Sequence, residues 1–171
     1  MADSVRVLLT REQLAARVRA LGAAITADYQ GRRPILVCVL KGSAIFMSDL
    51  ARAIDLPCSL EFLRVSSYLA ESQTSGRVDI LMDLDCDISG RDVIIIEDIL
   101  DTGLTLDCLR TRLLARNPAS LAICTLLEKP ARRRVDVPVD YVGFQIDDVF
   151  VVGYGLDHAE QYRNLPYVGQ L

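Results

Sequence analysis

The sequence predicts an α/β domain built on a mainly parallel sheet, and three observations point to it. Short unbroken apolar runs recur, as in "ILVCVL" at 35–40 and "VIII" at 93–96. Runs of this kind fit strands covered on both faces. Helix-patterned segments alternate with them, the order expected of βα units. No repeat, low-complexity tract or long linker divides the 171 residues, so one domain spanning 1–171 is expected.

The elements follow in order. Thr10 with Gln13 three residues on reads as a capping box. Leu14, Val18, Leu21 and Ile25 then share one helical face. Gly31 and Pro34 break the chain before the strand at 35–40. "KGS" leads into a helix at "AIFMSDLARAI", with Ser43 as candidate N-cap. "LEFLRVSSY" reads as a strand. The polar, unpatterned "LAESQTSGRVD" at 69–79 reads as a loop. "ILMDLDCDI" suggests a strand or hairpin. After the strand at 92–96, Leu106, Leu109 and Leu113 share a helical face that Asn117-Pro118 stops. "SLAICTLLEK" is a further buried strand. "DYVGFQI" and "VFVVGYGLD" are shorter strand candidates, and the tail from Ala159 reads as irregular.

Composition narrows the function classes. Hydrophobic residues make up 51%, which excludes a disordered chain. Net charge is −4, which gives no support to nonspecific nucleic-acid binding. The five cysteines (38, 58, 86, 108 and 124) are odd in number and form no CxxC pair, so free thiols in a reducing compartment are expected. The N-terminus lacks a signal-peptide pattern, and no run reaches the roughly 18 apolar residues of a membrane span. A cytoplasmic protein is the expectation.

The stretch "VIIIEDILDTGLTL", 93–106, carries the most chemistry. Ligands of open α/β sheets bind beyond the carboxyl ends of the strands. A strand ending at Ile96 delivers Glu97, Asp98 and Asp101 there. The turn Thr102-Gly103 opens a helix whose first amides lack intrahelical partners and could cradle a phosphate. The acids could accept bonds from sugar hydroxyls or help hold Mg²⁺. The same residues also fit an ordinary βα loop with acids at a helix start. No GxxxxGK[ST] occurs.

"VIIIEDILDTGLTL" resembles the phosphoribosyl-diphosphate (PRPP) motif of the type I phosphoribosyltransferases. "VGFQIDDVFVVGYGLDHAEQYRNLPYVG" resembles the end of the hypoxanthine-guanine enzymes of that family. "VLKGS" at 39–43 and "RVSSY" at 64–68 match its other two segments in order. The resemblance implies the type I fold: a mainly parallel sheet flanked by helices, a small hood formed by terminal segments (141–171 contributing) and a flexible lid at about 66–77, including Ser67 and Tyr68.

It also implies roles. Glu97 and Asp98 would meet the ribose hydroxyls. Asp101, Thr102, Gly103, Leu104 and Thr105 would wrap the 5′-phosphate, with Asp101 also the general base at the purine. Lys41-Gly42 would form the pyrophosphate loop, the peptide between them often being cis, and Arg163 would reach the pyrophosphate. Lys129 would donate to O6 of a 6-oxopurine, Phe150 would stack on the base, and the Val151 backbone would read its edge. Asp157 would lie close to the purine and bind Mg²⁺, with Glu97 and Asp98 completing the metal's carboxylates. Taken alone, Lys41 and Lys129 read as solvated lysines and Phe150 as a core aromatic. The lone His158 gains no catalytic role from the match. PRPP and a 6-oxopurine are the implied substrates, with no nucleic acid or membrane partner, and homodimers or homotetramers are implied. Two rivals remain: an RNA-binding regulator on the same fold, and a xanthine-preferring transferase.

Overall fold

The computed structural model describes residues 5–66 and 78–171. Its elements are β1 (Arg6–Leu9), α1 (Arg11–Asp28), β2 (Ile35–Leu40), α2 (Ala44–Ala53), β3 (Ser59–Val65), β4 (Ile80–Met82), β5 (Asp92–Leu100), α3 (Leu104–Leu114), β6 (Ser120–Glu128), β7 (Tyr141–Gln145), β8 (Val151–Val152) and β9 (Val168–Gln170). A short 3-10 turn, Pro130–Arg132, follows β6.

Six strands form one sheet in the order β4-β3-β2-β5-β6-β7. All neighbours are parallel except β4, which pairs antiparallel with β3 at the edge. The apolar runs owe their continuity to burial on both faces. In β2 and β5, Leu36, Cys38, Ile94 and Ile96 pack on the side of α1 and α2. The alternate residues Ile35, Val37, Val93 and Ile95 pack on the side of α3, with Leu106, Leu109 and Leu113.

The capping box at Thr10 is formed: Gln13 N donates to Thr10 Oγ1 (3.2 Å) and Thr10 N to Gln13 Oε1 (2.8 Å). Leu14, Val18, Leu21 and Ile25 are all buried. Ser43 departs from expectation. It stands at the N-cap position of α2, but its side chain caps nothing. Its hydroxyl turns instead to Val39 O (2.8 Å) and Glu97 Oε1 (3.0 Å).

Three further expectations need correction. Of "ILMDLDCDI" only Ile80–Met82 is strand. Of "VFVVGYGLD" only Val151–Val152 is. The tail is not wholly irregular, because β9 sits between β1 and β8 in a second, three-stranded antiparallel sheet. Strands of two to four residues are too short to show a period of their own; pairing with each other defines them. The terminal segments thus meet in one small sheet, the hood expected of them. The lid at about 66–77, with Ser67 and Tyr68, lies outside the described residues apart from Ser66.

Among the described residues no helix is long and apolar enough to cross a membrane. The five cysteines are free. Burial pushes the Cys38 thiol up to about 12, and Cys124 higher still, so both stay protonated and inert.

Candidate active site

The carboxyl ends of β2 and β5 open onto a cavity of about 660 Å³. Its wall holds Gly42, the run Glu97 to Leu106, Arg132 and Arg134. A cavity of about 630 Å³ between α1, α2 and Asn164–Pro166 contains none of the expected site residues.

β5 runs on to Leu100 rather than ending at Ile96, so Glu97 lies within the strand, and it is buried. Its Oε1 accepts from the amide of Asp98 (3.1 Å) and shares the single proton of Ser43 with Val39 O. Burial raises its pKa well above the carboxylate range, and the charge of Asp98 adds to the effect. Asp98 is raised by burial too, against the help of the Ile99 amide, which donates to Oδ1 at 2.7 Å.

Asp98 also fixes the identity of residue 42. A Cβ on Gly42 would lie 1.6 Å from Asp98 Oδ2, so only glycine leaves room for the carboxylate. Gly155, at φ +104°, is held to glycine by the opposite side of the same loop, because its Cβ would fall 2.0 Å from Gly42 O. The cis peptide lies one bond earlier than the resemblance implied, between Leu40 and Lys41 rather than between Lys41 and Gly42. The β2 ladder ends at Leu40, so the chain leaves the sheet at that bond. Gly42 serves close approach instead.

Asp101 to Thr105 turn from β5 into α3. Gly103 takes the left-handed conformation (φ 88°) as the helix cap. The first intrahelical bond runs from Asp107 N to Gly103 O (2.9 Å), which leaves the amides of Thr105 and Leu106 without intrahelical partners at the cavity wall. Arg134 is anchored beside them by Arg134 N to Thr102 O (2.9 Å). The Asp101 carboxylate accepts from Arg132 Nε at 2.6 Å.

The expected purine-side residues do not line this cavity; they lie just after β6 and in the segment joining β7 to β9. Lys129 is buried, and its Nζ is 3.7 Å from Asp148 Oδ1. Asp148 Oδ1 also lies 3.6 Å from Arg132, so Asp101, Arg132, Asp148 and Lys129 form one chain of charges. Phe150 is 53% exposed, which rules out the core role its sequence context allowed. Its ring meets His158 edge-on at 5.3 Å. Val151 is buried in β8 and pairs with Gln170. Asp157 Oδ1 contacts Arg163 at 2.9 Å. Arg163 also donates to Gly155 O (2.7 Å), and Lys41 Nζ contacts Glu160 at 3.1 Å.

The sequence reading missed Ser43, Arg132, Arg134, Asp148 and Glu160. "ARRR" directly after Lys129 and the Glu160–Arg163 spacing of three were the available signals. Among the described residues no three acids gather as a metal cage, so Glu97, Asp98 and Asp157 do not form a preformed shared site.

Residues 4–159 match the phosphoribosyl transferase domain. This chain belongs to that family. The hypoxanthine phosphoribosyltransferase of Salmonella typhimurium is 50% identical over all of this chain and 97% of its own length. The hypoxanthine-guanine phosphoribosyltransferase of Mycobacterium bovis is 51% identical, over 99% of this chain and 87% of its own. A crystal structure of a hypoxanthine-guanine phosphoribosyltransferase from Bacillus anthracis superposes with a TM-score of 0.94 at 44% identity, covering 98% of this chain and 99% of the other. The parallel sheet with its βα cavity is therefore the phosphoribosyltransferase fold.

Proposed function

We propose that this enzyme transfers the 5-phosphoribosyl group of PRPP to hypoxanthine or guanine, giving IMP or GMP and pyrophosphate. The observation that carries the reading is the cavity wall itself. Along the continuous stretch from Glu97 to Leu106 it sets paired acids, a helix N-terminus with free amides and a third carboxylate that faces Lys129 through Arg132 and Asp148. Likeness to hypoxanthine and hypoxanthine-guanine enzymes at about half identity over the full chain supports the choice of base.

The roles follow from the chemistry of each group. The amides of Thr105 and Leu106, with Thr102, Gly103 and Leu104, hold the 5′-phosphate. Asp98 and Glu97 orient the ribose hydroxyls. As the purine nitrogen attacks the ribose carbon, the sugar takes on oxocarbenium character and charge grows on the departing pyrophosphate. Lys41, the Gly42 amide and Arg163 meet that charge. Asp101, after exchanging Arg132 for the base, takes the purine proton. Lys129 donates to O6 and so excludes adenine, whose amino group at that position is itself a donor. Phe150 stacks on the base and the Val151 backbone reads its edge. The residues from Ser66 onward, including Ser67 and Tyr68, close over the substrates and keep water from the sugar.

The donor chemistry fits Mg²⁺, which is held by one or two carboxylates completed by substrate phosphate oxygens rather than by a protein cage. Asp98 and Asp157 present hard oxygens for it, while Glu97 is engaged by Ser43. When bound, the ion would neutralise charge on the diphosphate. A cytoplasmic enzyme working as a homodimer or homotetramer is the matching setting.

A turnover assay with PRPP, Mg²⁺ and hypoxanthine, guanine, xanthine, adenine and uracil tests the reading. Rapid IMP and GMP formation is expected, with adenine and uracil inert. Preference for xanthine would reassign the base, and no turnover with any base, together with tight RNA binding, would favour the regulator.

A further inference from the structure

Lys41 and Arg163, the two cations assigned to pyrophosphate, already share an anion. The Glu160 carboxylate lies 3.1 and 3.2 Å from Lys41 Nζ and 3.6 Å from Arg163. It reaches them from the turn after Asp157. Glu160 N donates to Asp157 Oδ2 (2.8 Å), and His158 and Gln161 exchange backbone bonds of 3.2 and 3.0 Å. Ala159 and Glu160 both take left-handed φ values, 50° and 63°. Lysine pairing holds the Glu160 carboxyl below its usual range, so it is ionised at neutral pH. Its side chain is 67% exposed, free to swing away.

Three facts separate this contact from an ordinary surface ion pair. Lys41 belongs to a loop 119 residues away from Glu160 in sequence, at the carboxyl end of β2. Arg163 has a separate structural anchor, through Asp157 and Gly155 O, and does not need Glu160 to hold its place. Arg163 Nε is buried and has no hydrogen-bond partner among the described residues. An oxyanion arriving between Lys41 and Arg163 would have to displace the one carboxylate that both of them share.

We infer that Glu160 is an internal counter-ion of the pyrophosphate subsite: it stands in for the diphosphate in the free enzyme and competes with it for Lys41 and Arg163. This rests on the pyrophosphate role proposed for those two residues. Glu160 lowers affinity for PRPP and for product pyrophosphate alike and returns to the cations as pyrophosphate leaves. A 5′-mononucleotide, which has no diphosphate, does not meet it. Glu160 thereby sets the affinity of the site for diphosphates relative to mononucleotides.

The test is calorimetric titration of the full-length protein with magnesium pyrophosphate and, separately, with IMP. Glu160→Gln should bind pyrophosphate about two- to fivefold more tightly than wild type, the range expected when an exposed ion pair no longer competes, and should bind IMP unchanged. Equal or weaker pyrophosphate binding in Glu160→Gln would overturn the inference and make Glu160 a support for the cations. Tighter binding of both ligands would also overturn it, as a change in overall charge rather than in the subsite. Arg163→Gln is the control for the underlying assignment and should weaken pyrophosphate at least fivefold. If it leaves pyrophosphate binding unchanged, the pyrophosphate role of Arg163 fails and the inference fails with it.

Discussion

The two sides of the site are built by opposite means. The sugar-phosphate side grows out of one continuous segment, β5 into α3, and its acids are fixed by the sheet, by Ser43 and by the close approach of Gly42. The purine side is assembled from five separate places: Lys129 just after β6, the 3-10 turn that follows it, the segment between β7 and β8 with Asp148 and Phe150, β8 itself, and the turns between β8 and β9. Apart from the buried Lys129 its charges are partly or largely exposed, and they pair with one another. One side is preorganised by burial; the other is held by ion pairs that a ligand can exchange. Substitutions on the first side should therefore act through geometry, and those on the second through individual lost contacts.

Asp101 stands where the two sides meet, and its replacement should have the largest effect. Asp101→Asn keeps the size of the side chain but cannot take a proton. Proton transfer by a placed carboxylate contributes about 10²–10⁴-fold. A kcat fall of about a hundredfold or more is expected, with KM for PRPP little changed. Wild-type turnover in a variant that melts earlier would make Asp101 a structural helix-start residue instead.

Gly42→Ala tests the preorganised side directly. The new Cβ would sit 1.6 Å from Asp98 Oδ2, so the carboxylate or the loop must move. A displacement of about 1 Å at a reacting centre can cost about a hundredfold. The expected result is a loss of that order in kcat/KM with the circular dichroism spectrum unchanged. Activity within twofold of wild type would show that the Asp98 position is not fixed by this contact.

Lys129→Met tests the side held by single contacts. One hydrogen bond to a charged group is worth about 1.5–3 kcal/mol. The kcat/KM for hypoxanthine should fall roughly ten- to a hundredfold while PRPP binding by calorimetry stays close to wild type. An unchanged kcat/KM would remove Lys129 from the base site and leave it as the partner of Asp148 alone.

The same contrast explains what could be read from the sequence. The β5–α3 side was legible because a run of Val93 to Ile96, burial on both faces and a polar turn all lie in one stretch. The helical faces of α1 and α3 were legible for the same local reason. Ser43 stands at the N-cap position its sequence context indicated, but the work of its hydroxyl was not legible, because its partners Val39 O and Glu97 come together with it only in the fold. The purine side had no local pattern to read. Tyr154, Ala159, Glu160 and Tyr162 take left-handed conformations that residue type does not announce, β1 and β9 pair across the length of the chain, and β8 is defined only by its pairing with β9. The roles of Lys129, Phe150, Asp157 and Arg163 came from resemblance alone, and each looked bland by itself. Arg132 and Asp148 matter because they bridge Asp101 to Lys129 across segments, a relation that no spacing encodes.

The smallest effect expected is one of stability, and it sharpens the idea that burial organises the sugar side. Glu97 is buried beside Asp98, and burial raises its pKa in the folded state above that of the unfolded chain, about 4.3. The sign follows from proton binding. Below about pH 4 the carboxyl is protonated in both states and carries no penalty. As pH rises, the unfolded chain ionises first while the fold retains the proton, so stability declines until the folded group also ionises and then levels off. Each unit of separation between the two pKa values is worth about 1.4 kcal/mol. Glu97→Gln can still accept from Ser43 and from the Asp98 amide, but it has no charge to bury. Its melting temperature should match wild type near pH 4 and exceed it at pH 8, by about 2–4 °C for each kcal/mol of relieved penalty in a chain of this size. Melting curves across pH 4–9 without ligand would decide the matter. A wild-type protein that gains stability through this window relative to Glu97→Gln would mean that the ionised carboxylate is welcome in the fold, and that the sugar side, like the purine side, is organised by charge.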